Sequence, residues 1–269
     1  MLSFPNAKIN LGLSITGKRL DGFHNIETIM VPIGLCDVLE IIEAKAFHFS
    51  FATSGLEIKG DENQNLVVKA WNLLQVRFDL PPVKIHLHKA IPMGAGLGGG
   101  SSDAAFLIKN INTLFGLKLS VEQMEAFALE LGSDCPFFIR DKPVLATGRG
   151  ELFEDIELDL GLYHIIIVKP EIHMETSAAY GQVTPVQKSI SLKEIMKIPI
   201  SRWKGLLIND FEKPVFEKHP AIRSIKDPLY EMGAVYVSMS GSGSAVFGLF
   251  REIPKTDSMF PDCFIWSGE

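Results

Sequence analysis

Apolar and polar residues alternate along Val83-Lys84-Ile85-His86-Leu87-His88, placing Val83, Ile85 and Leu87 on one face of a half-buried strand. Residues 7–17 alternate in part and also read as a strand, with Lys8 and Asn10 opposite Ile9 and Leu11. Extended segments are expected at 27–32, 37–44 and 46–51, and so many before the first helix point to an antiparallel or mixed sheet. Helical spacing begins at residues 66–78, where Val67, Ala70, Leu73 and Leu74 share a face. A second helix carries Ala105, Ile108, Ile111 and Phe115, with Ser101 or Ser102 as the expected cap. A third opens on the capping-box pattern Ser120-Val121-Glu122-Gln123 and ends at Gly132, with Met124, Phe127, Ala128 and Leu131 inward.

The texture changes after Leu152. An acidic stretch leads into an apolar run at 162–168, read as a buried strand ended by Pro170. Short helices are expected at 176–180 and 191–196, and an amphipathic segment from Trp203 through Leu206 and Leu207. Ile222, Ile225 and Leu229 have helical rhythm weakened by Pro228, and residues 234–238 are extended. They lead to the small-residue turn Ser240-Gly241-Ser242-Gly243-Ser244, clamped between apolar segments. The change of texture places a boundary near residue 155, giving domains 1–155 and 156–269 with a cleft expected between them.

With 269 residues, 46% hydrophobic and 22% charged, the chain has ordinary globular composition. Its net charge of −6 draws it neither to nucleic acid nor to anionic lipid, so a polyanionic ligand needs a local positive site. Cys36, Cys135 and Cys263 are odd in number and widely spaced, which argues against a disulfide framework and fits a reducing compartment. No signal peptide is expected from the first residues, and no stretch approaches the roughly 20 apolar residues of a membrane span. These features together suggest a cytoplasmic protein.

The densest signal is Pro92-Met93-Gly94-Ala95-Gly96-Leu97-Gly98-Gly99-Gly100-Ser101-Ser102-Asp103, with five glycines in seven positions between a strand and a helix. Such backbone turns sharply or approaches a ligand closely, and its amides, with the first N–H groups of the next helix, suit a phosphate. Gly94, Gly96 and Gly99 formally match the dinucleotide fingerprint, but Pro92 and Met93 separate them from the strand. No acid to hold a ribose stands about 20 residues on. A Gly-Lys-Ser/Thr ending is missing, as are the His-Arg-Asp and Asp-Phe-Gly motifs of protein kinases, which leaves another class of nucleotide site.

Elsewhere, single residues are ambiguous. A lysine opening a strand, such as Lys8, is ordinarily a solvated edge residue. Phe23 in the turn Arg19-Leu20-Asp21-Gly22-Phe23-His24 has a core reading and His24 a surface reading. His86 and His88 read as solvated strand histidines without a third metal ligand. Asp134 follows a helix, where an isolated aspartate is ordinarily a turn or capping residue; lodged among the apolar residues of Cys135-Pro136-Phe137-Phe138 it needs either a partner or a task. Lys8 and Asp134 are the residue types that phosphoryl transfer needs, a cation and a proton acceptor, though spacing alone does not pair them.

Several stretches taken together resemble the GHMP kinases, the small-molecule kinases named for galactose, homoserine, mevalonate and phosphomevalonate. The glycine run is similar to their central motif, Ala7-Lys8-Ile9-Asn10-Leu11 to the first and Ser240-Gly241-Ser242-Gly243-Ser244 to the third. Arg19-x-Asp21-Gly22-Phe23-His24, Gly132-Ser133-Asp134-Cys135-Pro136-Phe137-Phe138 and Gly148-x-Gly150-Glu151 resemble the branch that acts on a cytidyl diphosphate sugar alcohol. The resemblance implies an α+β, two-domain fold: an N-terminal ATP-binding domain like ribosomal protein S5 domain 2 and a C-terminal ferredoxin-like α/β sandwich. It implies ATP-dependent phosphorylation of the 2-hydroxyl of 4-diphosphocytidyl-2-C-methyl-D-erythritol, in the non-mevalonate route to isoprenoid precursors.

On the same ground Asp134 would be the catalytic base and Lys8 would polarise the hydroxyl. Pro92, Met93, Gly94, Ala95, Gly96, Leu97, Gly98, Gly99, Gly100, Ser101 and Ser102 would hold ATP, with Asn65 on the adenine side and Mg2+ accompanying the nucleotide through ligands that are not identified. Asn10, Phe23 and His24 would contact the substrate, with His24 on the cytosine edge. Phe23 stands where the family commonly has tyrosine, a departure that keeps stacking and loses a hydroxyl. A second aromatic wall is sought in residues 171–180, where His173, Tyr180 or neither takes that role. Asn209-Asp210-Phe211-Glu212 reads as structural at the domain interface. The partner implied is a small molecule, with neither nucleic acid nor membrane, and the protein would be a monomer or weak homodimer.

Overall fold

A computed structural model describes residues 1–44, 48–174, 183, 185, 188, 190–255 and 259–268. In chain order the first elements are strands β1 (Leu2–Ser3), β2 (Asn6–Lys18), β3 (His24–Cys36), β4 (Val38–Glu43) and β5 (Ser50–Gly55), then helix α1 (Leu66–Phe78) and strand β6 (Val83–Lys89). Helices α2 (Gly99–Leu114), α3 (Val121–Leu131) and α4 (Cys135–Arg140) follow, then β7 (Val144–Thr147), β8 (Leu152–Asp155) and β9 (His164–Pro170). Strands β10 (Tyr236–Met239), β11 (Val246–Phe250) and β12 (Cys263–Gly268) close the order. The helix expected at 176–180 lies outside the described residues, as does part of the extended segment expected at 46–51.

The chain forms two compact units that interleave along the sequence. The first comprises 1–7, 35–93 and 98–142, the second 8–34, 94–97 and 143–269. This division differs from a single cut near residue 155, because β7 and β8 hydrogen-bond in one sheet with β2 and β3 and so group residues 8–34 with the later chain.

In the first unit the sheet order is β1-β4-β6-β5, antiparallel except where β5 runs parallel to β6. The alternation of residues 83–88 survives as strict inward and outward burial along β6. Helix α2 contributes Ala104, Ala105, Leu107, Ile108 and Ile111 to the core and packs on α1, α3 and α4. The capping box at Ser120 forms as the sequence predicts. In α4, Pro136 sits in the first turn, where its missing N–H breaks no helical bond, and Phe137 and Phe138 are fully buried with rings edge-on at 4.9 Å. That buried pair fixes the helix that Asp134 starts.

The second unit holds two sheets, β2-β3-β7-β8 and the antiparallel β10-β11-β9-β12. Its core joins Leu13, Ile15 and Ile26 with Ile166, Val168, Phe211, Met239 and Val246. The rhythm of residues 221–232 resolves into two short helices, Pro220–Arg223 and Lys226–Glu231, with each proline confined to a first turn. No disulfide joins Cys36, Cys135 and Cys263.

The packing of α4 generates a stability test. Phe137→Ala is expected to lower the unfolding free energy by about 3–5 kcal/mol, read by urea denaturation. A loss below about 1 kcal/mol would show that this ring does not lock the helix.

Candidate functional site

Strand β6 ends at Lys89, and the chain then crosses residues 90–98 before α2 begins. Gly94, Gly96 and Gly98 all have positive φ, at 60°, 75° and 73°, while the intervening Ala95 and Leu97 bury their side chains. The loop is held by its carbonyls. Those of Gly94, Ala95, Gly96 and Leu97 accept, in turn, from Met174 N (3.3 Å), Ala245 N (3.1 Å), Ser240 Oγ (2.9 Å) and Lys8 N (2.9 Å). With four successive acceptors engaged, the loop's orientation is fixed through its oxygens. The contact is close: a Cβ on Gly96 would lie 2.0 Å from the Ser240 carbonyl oxygen, and one on Gly94 2.2 Å from the His173 ring. His173 is therefore packed on the glycine loop, and Tyr180 lies outside the described residues.

The same unit gathers the first and third motifs around this loop. Lys8 is 3% exposed, so it is a buried residue rather than the solvated edge lysine that its place on a strand suggests. Its Nζ donates to Asn10 Oδ1 at 2.6 Å, and Asn10 Nδ2 donates to Thr28 Oγ1 at 3.0 Å, whose hydroxyl donates to the Gly12 carbonyl. A Cβ on Gly241 would meet Asn10 Oδ1 at 3.2 Å and the Gly96 carbonyl at 3.3 Å, so the third motif presses on both. Asn209, 1% exposed, ties that motif down: Nδ2 donates to the carbonyls of Met239 and Gly241, both at 2.8 Å, and Oδ1 accepts from Phe211 N. Asp210 accepts from Ile15 N at 2.9 Å, anchoring the Asn-Asp turn to β2. The sequence identified this turn as structural, and its particular task, fixing a glycine motif some 30 residues later, has no local signal.

In the first unit, α2 starts differently from the expectation that Ser101 or Ser102 caps it. Gly98 is the capping residue, in the left-handed region and with no side-chain hydrogen bond, and both serines lie inside the first turn. A helix that opens on glycine leaves its first N–H groups to whatever approaches them. Ser102 Oγ is buried with no hydrogen-bond partner among the described residues. Ser101 hydrogen-bonds to Cys135, whose thiol is pushed up to about 12, chiefly by burial and also by Asp134 beside it. That pair brings the first turn of α2 to the start of α4, where Asp134, partly buried, precedes the first helical residue. Asn65 caps α1 through Oδ1 and Val67 N at 2.9 Å, and its neighbour Leu66 is the side chain nearest Gly100.

Phe23 is 52% exposed at the tip of the turn between β2 and β3, and Arg149 places its guanidinium 5.0 Å from the ring centroid. Neither a purely core nor a purely surface reading describes it: one region of the ring is backed by a cation while much of it remains open. His24 follows, half-buried, as the first residue of β3. Arg149 also pairs with Glu151 at 3.5 Å in the turn between β7 and β8. Among the described residues no group of three or more His, Cys, Asp or Glu could hold a metal ion.

The tight seating of Gly96 makes it the sharpest probe of the loop. Gly96→Ala adds a methyl against backbone at a strained φ, and is expected to weaken triphosphate binding at least tenfold and to lower stability by about 1–3 kcal/mol. Calorimetric titration with triphosphate and thermal unfolding read the two effects; unchanged affinity would dissociate anion binding from the loop.

The family model described as GHMP kinases N terminal domain matches residues 65–142, and that described as GHMP kinases C terminal matches residues 192–257. The 4-diphosphocytidyl-2-C-methyl-D-erythritol kinase of Parabacteroides distasonis is 51% identical over 271 aligned positions, covering 100% of this chain and 99% of the relative. That of Porphyromonas gingivalis is 47% identical, with 99% and 98% covered. Among solved structures, a 4-(cytidine 5'-diphospho)-2C-methyl-D-erythritol kinase superposes with a TM-score of 0.78 at 30% identity, covering 93% of this chain and 90% of that one. The mevalonate kinase of Methanococcus jannaschii, at 17% identity and a TM-score of 0.64 with 99% and 97% covered, shares the fold. The chain belongs to the GHMP kinases and, within them, to the 4-diphosphocytidyl-2-C-methyl-D-erythritol kinase family.

Proposed function

We propose that this protein transfers the γ-phosphoryl group of ATP to the 2-hydroxyl of 4-diphosphocytidyl-2-C-methyl-D-erythritol, yielding its 2-phosphate and ADP in the non-mevalonate isoprenoid pathway. The observation that carries the reading is the glycine loop fixed by four consecutive carbonyls, in a chain about half identical to full-length relatives of that name. Phosphoryl transfer is mostly positioning and charge stabilisation, and a backbone held by its oxygens presents N–H groups without reorganisation. Residues 92–102 take the triphosphate, with the uncapped start of α2 and the Ser102 hydroxyl adding donors. Asn65 lies towards the adenine. GHMP kinases use ATP; magnesium belongs to the proposal as an ion carried by the phosphates, since the described residues offer no cluster of their own.

Asp134 takes the proton of the acceptor hydroxyl as its oxygen attacks, and the Lys8 ammonium lowers that hydroxyl's pKa. Asn10 orients Lys8 through the 2.6 Å bond and lies towards the substrate's diphosphate. Phe23 stacks on cytosine and His24 bonds its edge. The division into 1–155 and 156–269 is supported by the two family models, which fall on either side of it. Cytoplasmic location, absence of nucleic-acid and membrane partners, and a monomeric or weakly dimeric state complete the reading; no described helix is long and apolar enough to cross a membrane.

Two measurements test it. An ATP-consumption assay is expected to show turnover with the cytidyl acceptor and none above background with mevalonate or homoserine; preference for either of the latter overturns the acceptor assignment. Asp134→Asn is expected to lower kcat by about 10²–10⁴-fold while ATP affinity stays within about twofold. Near-normal turnover removes Asp134 from the proton transfer.

A further inference from the structure

Beneath the first turn of α2, within the first unit, lies a charge cluster for which the reaction has no assigned use. Asp37, Lys89 and Asp103 are each 2% exposed or less. Lys89 Nζ bonds to Asp37 Oδ2, and to Asp103 Oδ2 at 2.9 Å. Asp37 is fully engaged, its second oxygen accepting from Ala90 N at 2.6 Å and Ile91 N at 2.8 Å. Asp103 is not: Oδ1 is buried with no hydrogen-bond partner among the described residues. A Cβ on Gly99 would lie 3.1 Å from Lys89 Nζ, so the ammonium lies under the first turn of α2, the turn that opens on uncapped Gly98.

With both carboxylates ionised the cluster carries one surplus negative charge, buried close to a helix start that is to receive an anion. A second anion nearby raises the cost of that charge. The cheapest relief is one proton, and the oxygen without a donor is the place for it, because protonation there makes it a donor and disturbs none of the bonds that hold Asp37. The charged groups acting on Asp103 are Lys89 at the end of β6 and Asp37 between β3 and β4. Burial raises its carboxyl, Lys89 opposes the rise and Asp37 adds to it, leaving it at about 7.

We propose that Asp103 takes up a proton when nucleotide binds, so that with Lys89 and Asp37 it acts as a positioning cluster that neutralises the ground beneath the phosphates. The proton comes from the solvent buffer: an O–H bond forms on Asp103, the buffer acid loses H+, and Lys89 keeps its charge. This rests on the reading of the glycine loop as the ATP site.

Calorimetric titration of the full chain with a non-hydrolysable ATP analogue, in buffers of different ionisation enthalpy, reads the proton count directly. At pH 8 the wild type is expected to take up about half a proton more per nucleotide than Asp103→Asn, and at pH 6, where Asp103 already holds its proton, the difference falls towards zero. The analogue's own ionisation cancels in that comparison. Equal uptake in the two proteins at pH 8 overturns the proposal, whereas failure of the wild type to bind nucleotide overturns the donor-site reading instead. Should Asp103→Asn not fold, infrared difference spectra of Asp134→Asn at pH 8 serve: a protonated-carboxyl band gained on binding supports the proposal, and its absence overturns it.

Discussion

The site depends on one constraint: the oxygens of residues 94–97 are all engaged by donors from elsewhere in the same unit. A glycine run left to itself is conformationally loose, because each glycine loses more freedom on ordering than any other residue. Here Lys8, Met174, Ser240 and Ala245 remove that freedom, and Ala95 and Leu97 add buried anchors. The result is backbone with its carbonyls already engaged, which under the proposed function leaves the N–H donors to the phosphates. Removing the freedom before the ligand arrives is what makes a flexible sequence a rigid receptor.

Around that constraint the three sequence motifs have separate physical tasks. The central run provides the carbonyls by which it is held. The first provides Lys8, whose backbone holds the run while its side chain is held by Asn10. The third supplies a serine and a close-packed glycine, and Asn209 keeps it in place. Phe23, half exposed, has the Arg149 guanidinium over its ring at a distance at which a cation is attracted to the π face.

Much of this was legible in the residues because it depends on local chemistry. The helix at 66–78, the alternation of β6 and the capping box at Ser120 follow from periodicity and short-range bonds, and each formed within a residue or so of its expected place. The burial of Lys8 was not legible, since it depends on β2 being covered on both faces, which partial alternation conceals. Nor was the start of α2: two serines suggested a cap, yet Gly98 caps the helix and Gly99, its first residue, packs too closely on Ile91 for a side chain. Asn209 and the cluster of Asp37, Lys89 and Asp103 are ordinary residues in sequence, and the contacts that give them their tasks span 14 to 54 positions. A lysine closing an alternating strand a few residues before a glycine run was the one available hint of the latter.

The most direct measurement of the central claim is amide hydrogen exchange, resolved to single residues, with and without a non-hydrolysable ATP analogue. The amides of residues 94–102 are expected to gain protection on binding, led by those at the start of α2. Protection confined to other segments, with the loop amides unchanged at saturating nucleotide, would contradict it.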